Sequence, residues 1–325
     1  MTTILHEDDA DLATLRGRRL AVIGYGNQGR PWALNLRDSG VDVSVLVRAD
    51  ETRELAVADG FDAGDLAAAA DYDVICILIP DDAIPTLDLA PKADALVIVA
   101  SGYTLAFDRF DPECDVGMVA PRMLGPEVRR CYQDHVGFIT AFGVHRDKTG
   151  HGRERTLAVA KAIGGLRQGA IELTPMEEAV LDMGVEQALS PALRHVTQSF
   201  LSVMLEHGIP LEAVLTELFL SGEIERTYRL LRTEGYAAQM DHHSPVSQYG
   251  QLSRSGEFDH LDVAARMRAI VDGIESGAFA DEWDAERSAD FATFQRLKEA
   301  AVGPAVVEFE ADLRRRLGEG ASSSS

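Results

Sequence analysis

The sequence predicts an α/β domain with a doubly wound parallel sheet, followed by a domain that is all helical. Three observations carry this reading. Short runs rich in Val and Ile alternate with segments of helical length over the first half of the chain. A glycine-rich turn joins the first of these runs to the first helix. After Thr174 the strand-like runs stop, and a proline opens a long stretch of helical period.

Taken in order, RLAVIG (19–24), VDVSVLV (41–47), DVICILI (73–79), ALVIVA (95–100) and VGMVAP (116–121) read as buried parallel strands. Strands covered on both faces have no polar side to alternate with, so their apolar runs are continuous. Segments 27–38, 51–59 and 83–89 have the length and composition of the intervening helices. A strand over 138–144, a helix over 152–163 and a strand over 169–174 extend the pattern. The domains are therefore expected at residues 1–174 and 175–318, with GEGASSSS (318–325) closing the chain and a disordered tail from residue 319. The segment DHHSPVSQYGQLSRSG, rich in turn formers, reads as a polar loop.

Composition narrows the function. Hydrophobic residues make up 46% and charged residues 26%, which is ordinary for a folded protein. No run approaches the roughly 18 uninterrupted apolar residues of a membrane span, and the first residues lack the pattern of a signal peptide, so a cytoplasmic location is expected. The formal charge of −22, from 53 acidic residues against 31 Lys and Arg, repels phosphate backbones and argues against nucleic acid or anionic membranes as partners. Any anionic ligand must then be held locally, by backbone N–H groups, arginines or a metal. Cys76, Cys114 and Cys131 have neither the number nor the spacing of a disulfide framework or a thiolate zinc site.

Gly24-Tyr25-Gly26-Asn27-Gln28-Gly29 follows the first strand directly and opens the first helix. Gly24 suits the tight turn, Gly26 lets the backbone approach a pyrophosphate, and Gly29 permits close packing of helix on strand. The helix N-terminus adds unpaired N–H groups and a partial positive charge. In this βαβ setting the motif predicts a dinucleotide-binding (Rossmann) domain. About twenty residues on, where NAD and NADP are usually distinguished, the signals conflict. Arg48 and Arg53 suit a 2′-phosphate, whereas Asp50 and Glu51 suit a free ribose hydroxyl, with a slight lean to NADH.

A longer likeness runs from Gly24 to Gly250. GYGNQGRPWALNLRDSGVDV resembles the opening of ketol-acid reductoisomerases (acetohydroxy-acid isomeroreductases), which typically read GYGSQGHAHALNLRDSG. The likeness continues through ILIPDD (77–82), ASGYTLAF (100–107), APRMLGPEVR (120–129), KAIGGLRQGAIELT (161–174), EEAVLDMGVEQ (177–187) and HSPVSQYG (243–250). The resemblance implies a knotted helical domain and a homodimer with active sites shared between subunits. It also implies NADPH or NADH, two Mg²⁺ ions, and alkyl migration within a 2-acetohydroxy acid followed by reduction of the 2-keto acid. Branched-chain amino acid synthesis is the setting it suggests. In the cofactor crevice it adds Pro80 and Asp81.

Glu178, Asp182 and Glu186 recur at i, i+4 and i+8 on one helical face. By the resemblance, Asp182 and Glu186 stand at the family's metal-binding D-x-x-x-E positions, Ser244 at its substrate-contacting serine, and Glu223 at a later metal-binding glutamate that also faces substrate. The other such glutamate position falls on Phe219, which cannot ligate a metal. Two further departures fall on chemistry. Ser101 stands where the family has a histidine, and a hydroxyl cannot hold a proton near neutral pH as imidazole does. Arg122 stands where the family has a lysine and presents a planar fork in place of a point charge. Asp182, Glu186, Arg122 and Ser101 are the expected catalytic residues. The expected activity is Mg²⁺-assisted, NAD(P)H-dependent reduction of a small 2-keto or 2-acetohydroxy acid with a weakened isomerase step. The alternatives are a keto acid or imine reductase without migration, and a catalytically silent cofactor-binding protein.

Overall fold

The computed structural model of the chain describes residues 2–301 and 304–317. The chain divides into two compact units, Met1–Asp182 and Met183–Ser325. The GEGASSSS tail lies outside the described residues.

The first unit contains strands β1 (Ile4–Leu5), β2 (Leu20–Ile23), β3 (Val43–Leu46), β4 (Ala63–Gly64), β5 (Val74–Ile77), β6 (Leu96–Val99), β7 (Asp115–Pro121), β8 (Thr140–Arg146) and β9 (Ala170–Glu172). Its helices are α1 (Gly29–Asp38), α2 (Glu51–Ala58), α3 (Tyr103–Ala106), α4 (Gly125–Gln133), α5 (Gly152–Ala162) and α6 (Pro175–Gly184). The strands form one sheet in the order β1-β9-β8-β7-β6-β5-β2-β3-β4. From β4 to β7 every neighbouring pair is parallel. β8 runs antiparallel to β7 and parallel to β9, and β1 closes the far edge antiparallel to β9.

Each central strand is buried on both faces. Along β2, Leu20 and Val22 enter one apolar cluster and Ala21 and Ile23 the other. β5 divides likewise, with Val74 and Cys76 on one face and Ile75 and Ile77 on the opposite one. This two-sided burial is why the runs are apolar without alternation. The chain leaves β2 toward β3 and β4, then returns to β5 on the other side of β2. That reversal opens a crevice at the carboxyl ends of β2 and β5, the usual ligand position in such sheets.

The structure departs from the sequence reading at several elements. β1 and β4 are two-residue edge strands, too short for periodicity to reveal. The segment expected as a helix at 83–89 is one 3₁₀ turn, Ile84–Thr86, in which Pro85 withholds a backbone donor. The expected start of the first helix at Asn27 moves to Gly29. α4 was not anticipated, because its Gly125-Pro126 opening resembles a turn.

The described part of the second unit is helical throughout. Two five-residue π-helical turns, Val185–Leu189 and Thr216–Leu220, interrupt it. The first precedes Pro191, whose missing N–H cannot bond the carbonyl one turn back. DHHSPVSQYGQLSRSG, read as a loop, contains the helix Pro245–Arg254. Ser244 is its N-cap and Pro245 its first residue, a start signal outweighed in the sequence by the surrounding turn formers.

One buried ion pair braces the first unit. The Asp115 carboxylate, at the start of β7, accepts from the backbone N–H groups of Lys148 (2.6 Å) and Thr149 (2.9 Å), the Thr149 hydroxyl (2.6 Å) and the Arg155 guanidinium. These donors hold its carboxyl below the ordinary range despite burial. Asp115→Ala strands the Arg155 charge inside, so we expect a loss of about 3–5 kcal/mol in unfolding free energy by urea titration.

Candidate active site at the carboxyl ends of the strands

The glycine turn begins at Gly24, which leaves β2 with φ +93°. A Cβ there would meet the Leu78 carbonyl oxygen at 2.5 Å and Ile79 Cγ2 at 2.7 Å. Gly29 lies against the Gly24 carbonyl in the same way, whereas a Cβ on Gly26 would meet nothing within 4 Å. Two glycines are therefore fixed by packing, and the middle one opens on free space. The side chains of Asn27 and Gln28 are engaged, since Asn27 Oδ1 accepts from Gly125 N (2.8 Å) and Gln28 Nε2 donates to the Met123 carbonyl (3.0 Å). What the turn offers a ligand is backbone N–H groups at the start of α1.

Tyr25 turns its ring into the core, edge-on to Phe61, and its hydroxyl donates to Asp59 Oδ2 (2.7 Å). Burial pushes that hydroxyl well above its ordinary range, the neighbouring Asp59 adding to the effect. Arg30 grips the same carboxylate through Nε (2.7 Å) and a terminal nitrogen (3.1 Å), holding it below the usual carboxylate range. At the end of β3 the conflicting signals separate. Arg53 folds back onto the carbonyls of Val47 (2.6 Å) and Gly64 (3.3 Å) and onto Asp65 (2.5 Å). These three contacts engage one terminal nitrogen of Arg53, so part of its charge is already compensated before any 2′-phosphate arrives. Asp50 caps α2 by accepting from Thr52 N (3.0 Å). Arg48 stays exposed, 3.9 Å from Asp50, and Glu51 is exposed in the first turn of α2.

The loops after β5, β6 and β7 and the helix α6 build the rest of the site. Adjacent parallel strands β5 and β6 end in register, Ile77 opposite Val99, so the loops carrying Pro80-Asp81 and Ser101-Gly102 emerge side by side. Ser101 Oγ donates to Asp81 Oδ2 across 3.4 Å and accepts from Tyr103 N at 3.1 Å. Gly102 N donates to Glu178 Oε2 (2.6 Å), and a Cβ at Gly102 would collide with the Pro175 carbonyl. Arg122, just past β7, spans two carboxylates one helical turn apart, Glu178 Oε1 at 2.6 Å and Asp182 Oδ1 at 2.7 Å.

Glu178 is nearly inaccessible, and burial raises its carboxyl above the ordinary range against the pull of Gly102 N–H and Arg122. Burial likewise pushes Asp81 up to about 6, with Glu178, Asp182 and Asp82 adding to the rise and the Ser101 hydroxyl opposing it. The structure thus brings Asp81, Ser101, Arg122 and Asp182 together in one unit and adds Glu178. The sequence showed Glu178 on the acidic face but gave no reason to assign it to the site. Its signal was the i, i+4 spacing to Asp182; its partner Gly102 was not visible.

The remaining residues lie in the second unit. Glu186 sits in the first π-helical turn, a feature common at functional sites. Phe219 is in the second, beside Leu215, Leu220, Leu313 and Arg314 around a cavity of about 270 Å³. Ser221 and a left-handed Gly222 (φ +77°) separate it from Glu223, the first residue of the next helix. Positions 219 and 223 therefore do not share one continuous helix. Ser244 Oγ accepts from Ser247 N at 3.4 Å. His242 and His243 meet Glu234 and Gln239. Among the described residues, no group of three or more His, Cys, Asp or Glu side chains is assembled for a metal. Asp182 does keep a half-exposed carboxylate with hard oxygen donors, held by Arg122 through one of them.

The profile described as acetohydroxy acid isomeroreductase, NADPH-binding domain, matches residues 14–169, and that described as ketol-acid reductoisomerase, C-terminal domain, matches residues 176–318. The chain belongs to the ketol-acid reductoisomerase family. The ketol-acid reductoisomerase (NADP(+)) of Caldivirga maquilingensis is 35% identical over 329 residues, covering 98% of this chain and all of that protein. The structure of an NADH-preferring ketol-acid reductoisomerase from an uncultured archaeon superposes with a TM-score of 0.89 at 28% identity, over 96% of this chain and 98% of that one. A semialdehyde dehydrogenase NAD-binding protein from Cupriavidus necator, at 19% identity and a TM-score of 0.54 over 78% of this chain and 99% of that one, shares the fold. Family membership makes the protein an NAD(P)H-dependent oxidoreductase, with a Rossmann-like domain followed by a helical one. Among the described residues, no helix is long and apolar enough to cross a membrane.

Arg122 neutralises a buried acid, so its removal should be sensitive to pH. In Arg122→Gln, Glu178 loses the partner that lowers its pKa. The destabilisation, on the order of 1–3 kcal/mol, should be greatest near pH 8 and shrink toward pH 4, where Glu178 is protonated in both proteins. Denaturant titration at the two pH values checks this, and an equal loss at both would contradict it.

Proposed function

We propose that the protein reduces a small 2-keto or 2-acetohydroxy acid by hydride transfer from NAD(P)H, with alkyl migration weak or absent. The observation that carries this is the gathering of Ser101, Arg122, Asp182 and the glycine turn at the carboxyl ends of the central strands. The pyrophosphate would lie on the backbone N–H groups of Gly26–Gly29, with Pro80 and Asp81 beside the crevice. NADH is favoured, because Arg53 already pairs with Asp65 and two backbone carbonyls through one terminal nitrogen, while Asp50 and Glu51 stand at the end of β3.

By the family resemblance, Asp182, Glu186 and Glu223 are the residues that would hold Mg²⁺, which when bound polarises the substrate oxygens and offsets developing alkoxide charge. Ser244 would contact the substrate. Arg122 holds Glu178 and Asp182 in place, one through each terminal nitrogen of its fork. Ser101 supplies a hydroxyl to the reacting oxygen. Migration leans harder on the metal pair and on proton transfer than hydride transfer does, and Phe219 and Ser101 subtract from both. A homodimer with shared sites and a cytoplasmic location complete the proposal, on the family resemblance.

The test follows oxidation of NADH and NADPH with 2-acetolactate, and separately with the rearranged 2-keto acid, each with and without Mg²⁺. We expect turnover of the rearranged acid to exceed that of 2-acetolactate, and NADH to be preferred. Equal turnover of both would establish a full reductoisomerase. Cofactor binding without turnover of any keto acid or imine would identify a silent cofactor-binding protein.

A further inference from the structure

Ser101 and Asp81 meet because β5 and β6 end level with each other. Neither is drawn into the ion pairs next to them, where Arg122 takes Glu178 and Asp182. The Ser101 oxygen accepts the Tyr103 N–H, which leaves its hydroxyl proton directed at Asp81. At 3.4 Å that contact is long for O–H···O, as acid–base contacts often are before substrate closes a site. Asp81 is surrounded by acids, Asp82 on its own loop and Glu178 and Asp182 on α6, while the Ser101 hydroxyl favours its charge.

We propose that Asp81 and Ser101 form a proton relay for the reduction: with substrate bound, the Ser101 hydroxyl turns from Asp81 to the substrate's carbonyl oxygen, and the protonated Asp81 carboxyl donates to Ser101 Oγ in its place. This rests on the reductase reading above. The balance is simple. The hydride adds to the carbonyl carbon, the C=O π pair moves to oxygen, and that oxygen takes the Ser101 proton. Ser101 is restored from Asp81, and Asp81 regains a proton from solvent. Ser101 is then the catalytic residue and Asp81 acts through it. A carboxyl titrating near 6 holds its proton over part of the physiological range, which an ordinary aspartate does not.

The test has two arms on the full chain. In the first, without substrate, the Asp81 carboxyl is titrated by ¹³C NMR. Its midpoint should lie near 6 and rise in Ser101→Ala, which loses the hydroxyl that favours the charge. A midpoint near 4, or one indifferent to Ser101→Ala, overturns the relay. In the second, kcat for the 2-keto acid should fall tenfold per pH unit above that midpoint. Asp81→Asn should lower it by about 10²–10⁴-fold and remove that limb. Ser101→Thr should recover most of the rate lost in Ser101→Ala. A limb that persists in Asp81→Asn overturns the relay while the reductase reading stands. A wild type that reduces no keto acid, with the coupled titration intact, overturns both.

Discussion

A guanidinium and a carboxylate organise this site. Glu178 is buried where an isolated charge would be prohibitively costly, and it is tolerated because Arg122 and Gly102 N–H meet its two oxygens. That arrangement ties three elements together: the loop after β6, the loop after β7 and α6. Asp182 is positioned by the other half of the same arginine fork. The loop carrying Arg122 is in turn fastened to the glycine turn through Met123 and Gly125. The anion-binding turn and the acidic helix are thus linked through a few strong polar contacts, and a change in any of them is felt at the others.

Most of the sheet was legible because its strands are buried on both faces and written as unbroken apolar runs. The edges were not. β1 and β4 are two residues long, and β8 reverses direction although its first half is an apolar run like those of the parallel strands. Direction depends on the connection, and the segment joining β7 to β8 through α4 carries no signal of which way the strand will lie. The helix at Pro245 shows the opposite failure. Its N-cap and proline were present, but the density of Ser, Gly and His made the segment look like a loop.

The site was legible unevenly for a related reason. Gly24 and Gly29 declare themselves by spacing, and packing now accounts for both. Tyr25, inside the same motif, faces the core, so the motif marks a backbone path and not a set of ligand-facing side chains. Arg53 has the charge for a phosphate, but charge in a sequence does not say where the donors point. Glu178 went unassigned because its meaning lies in Gly102, seventy-six residues away in sequence, and only the fold supplies that pairing.

The departures from the family pattern then acquire a common physical sense. A planar guanidinium at position 122 saturates two carboxylates at once, which an ammonium point charge does less well. Charge compensation at α6 becomes in part intrinsic to the protein. A hydroxyl at position 101 has no useful pKa of its own, but here it lies against a carboxyl raised by burial and by neighbouring acids. Two of those acids, Glu178 and Asp182, are the ones Arg122 holds in place, so the residue that steadies Asp182 also shapes the environment of Asp81. Lost capacity at one position is thereby set beside gained capacity at another. Under the proposed reading, hydride transfer to a carbonyl needs a proton close to the reacting oxygen, and the carboxyl ends of β5 and β6 bring a hydroxyl and a carboxyl together there. The same reading makes migration lean on a second cation, and Phe219 stands where the resemblance asks for one of its carboxylates.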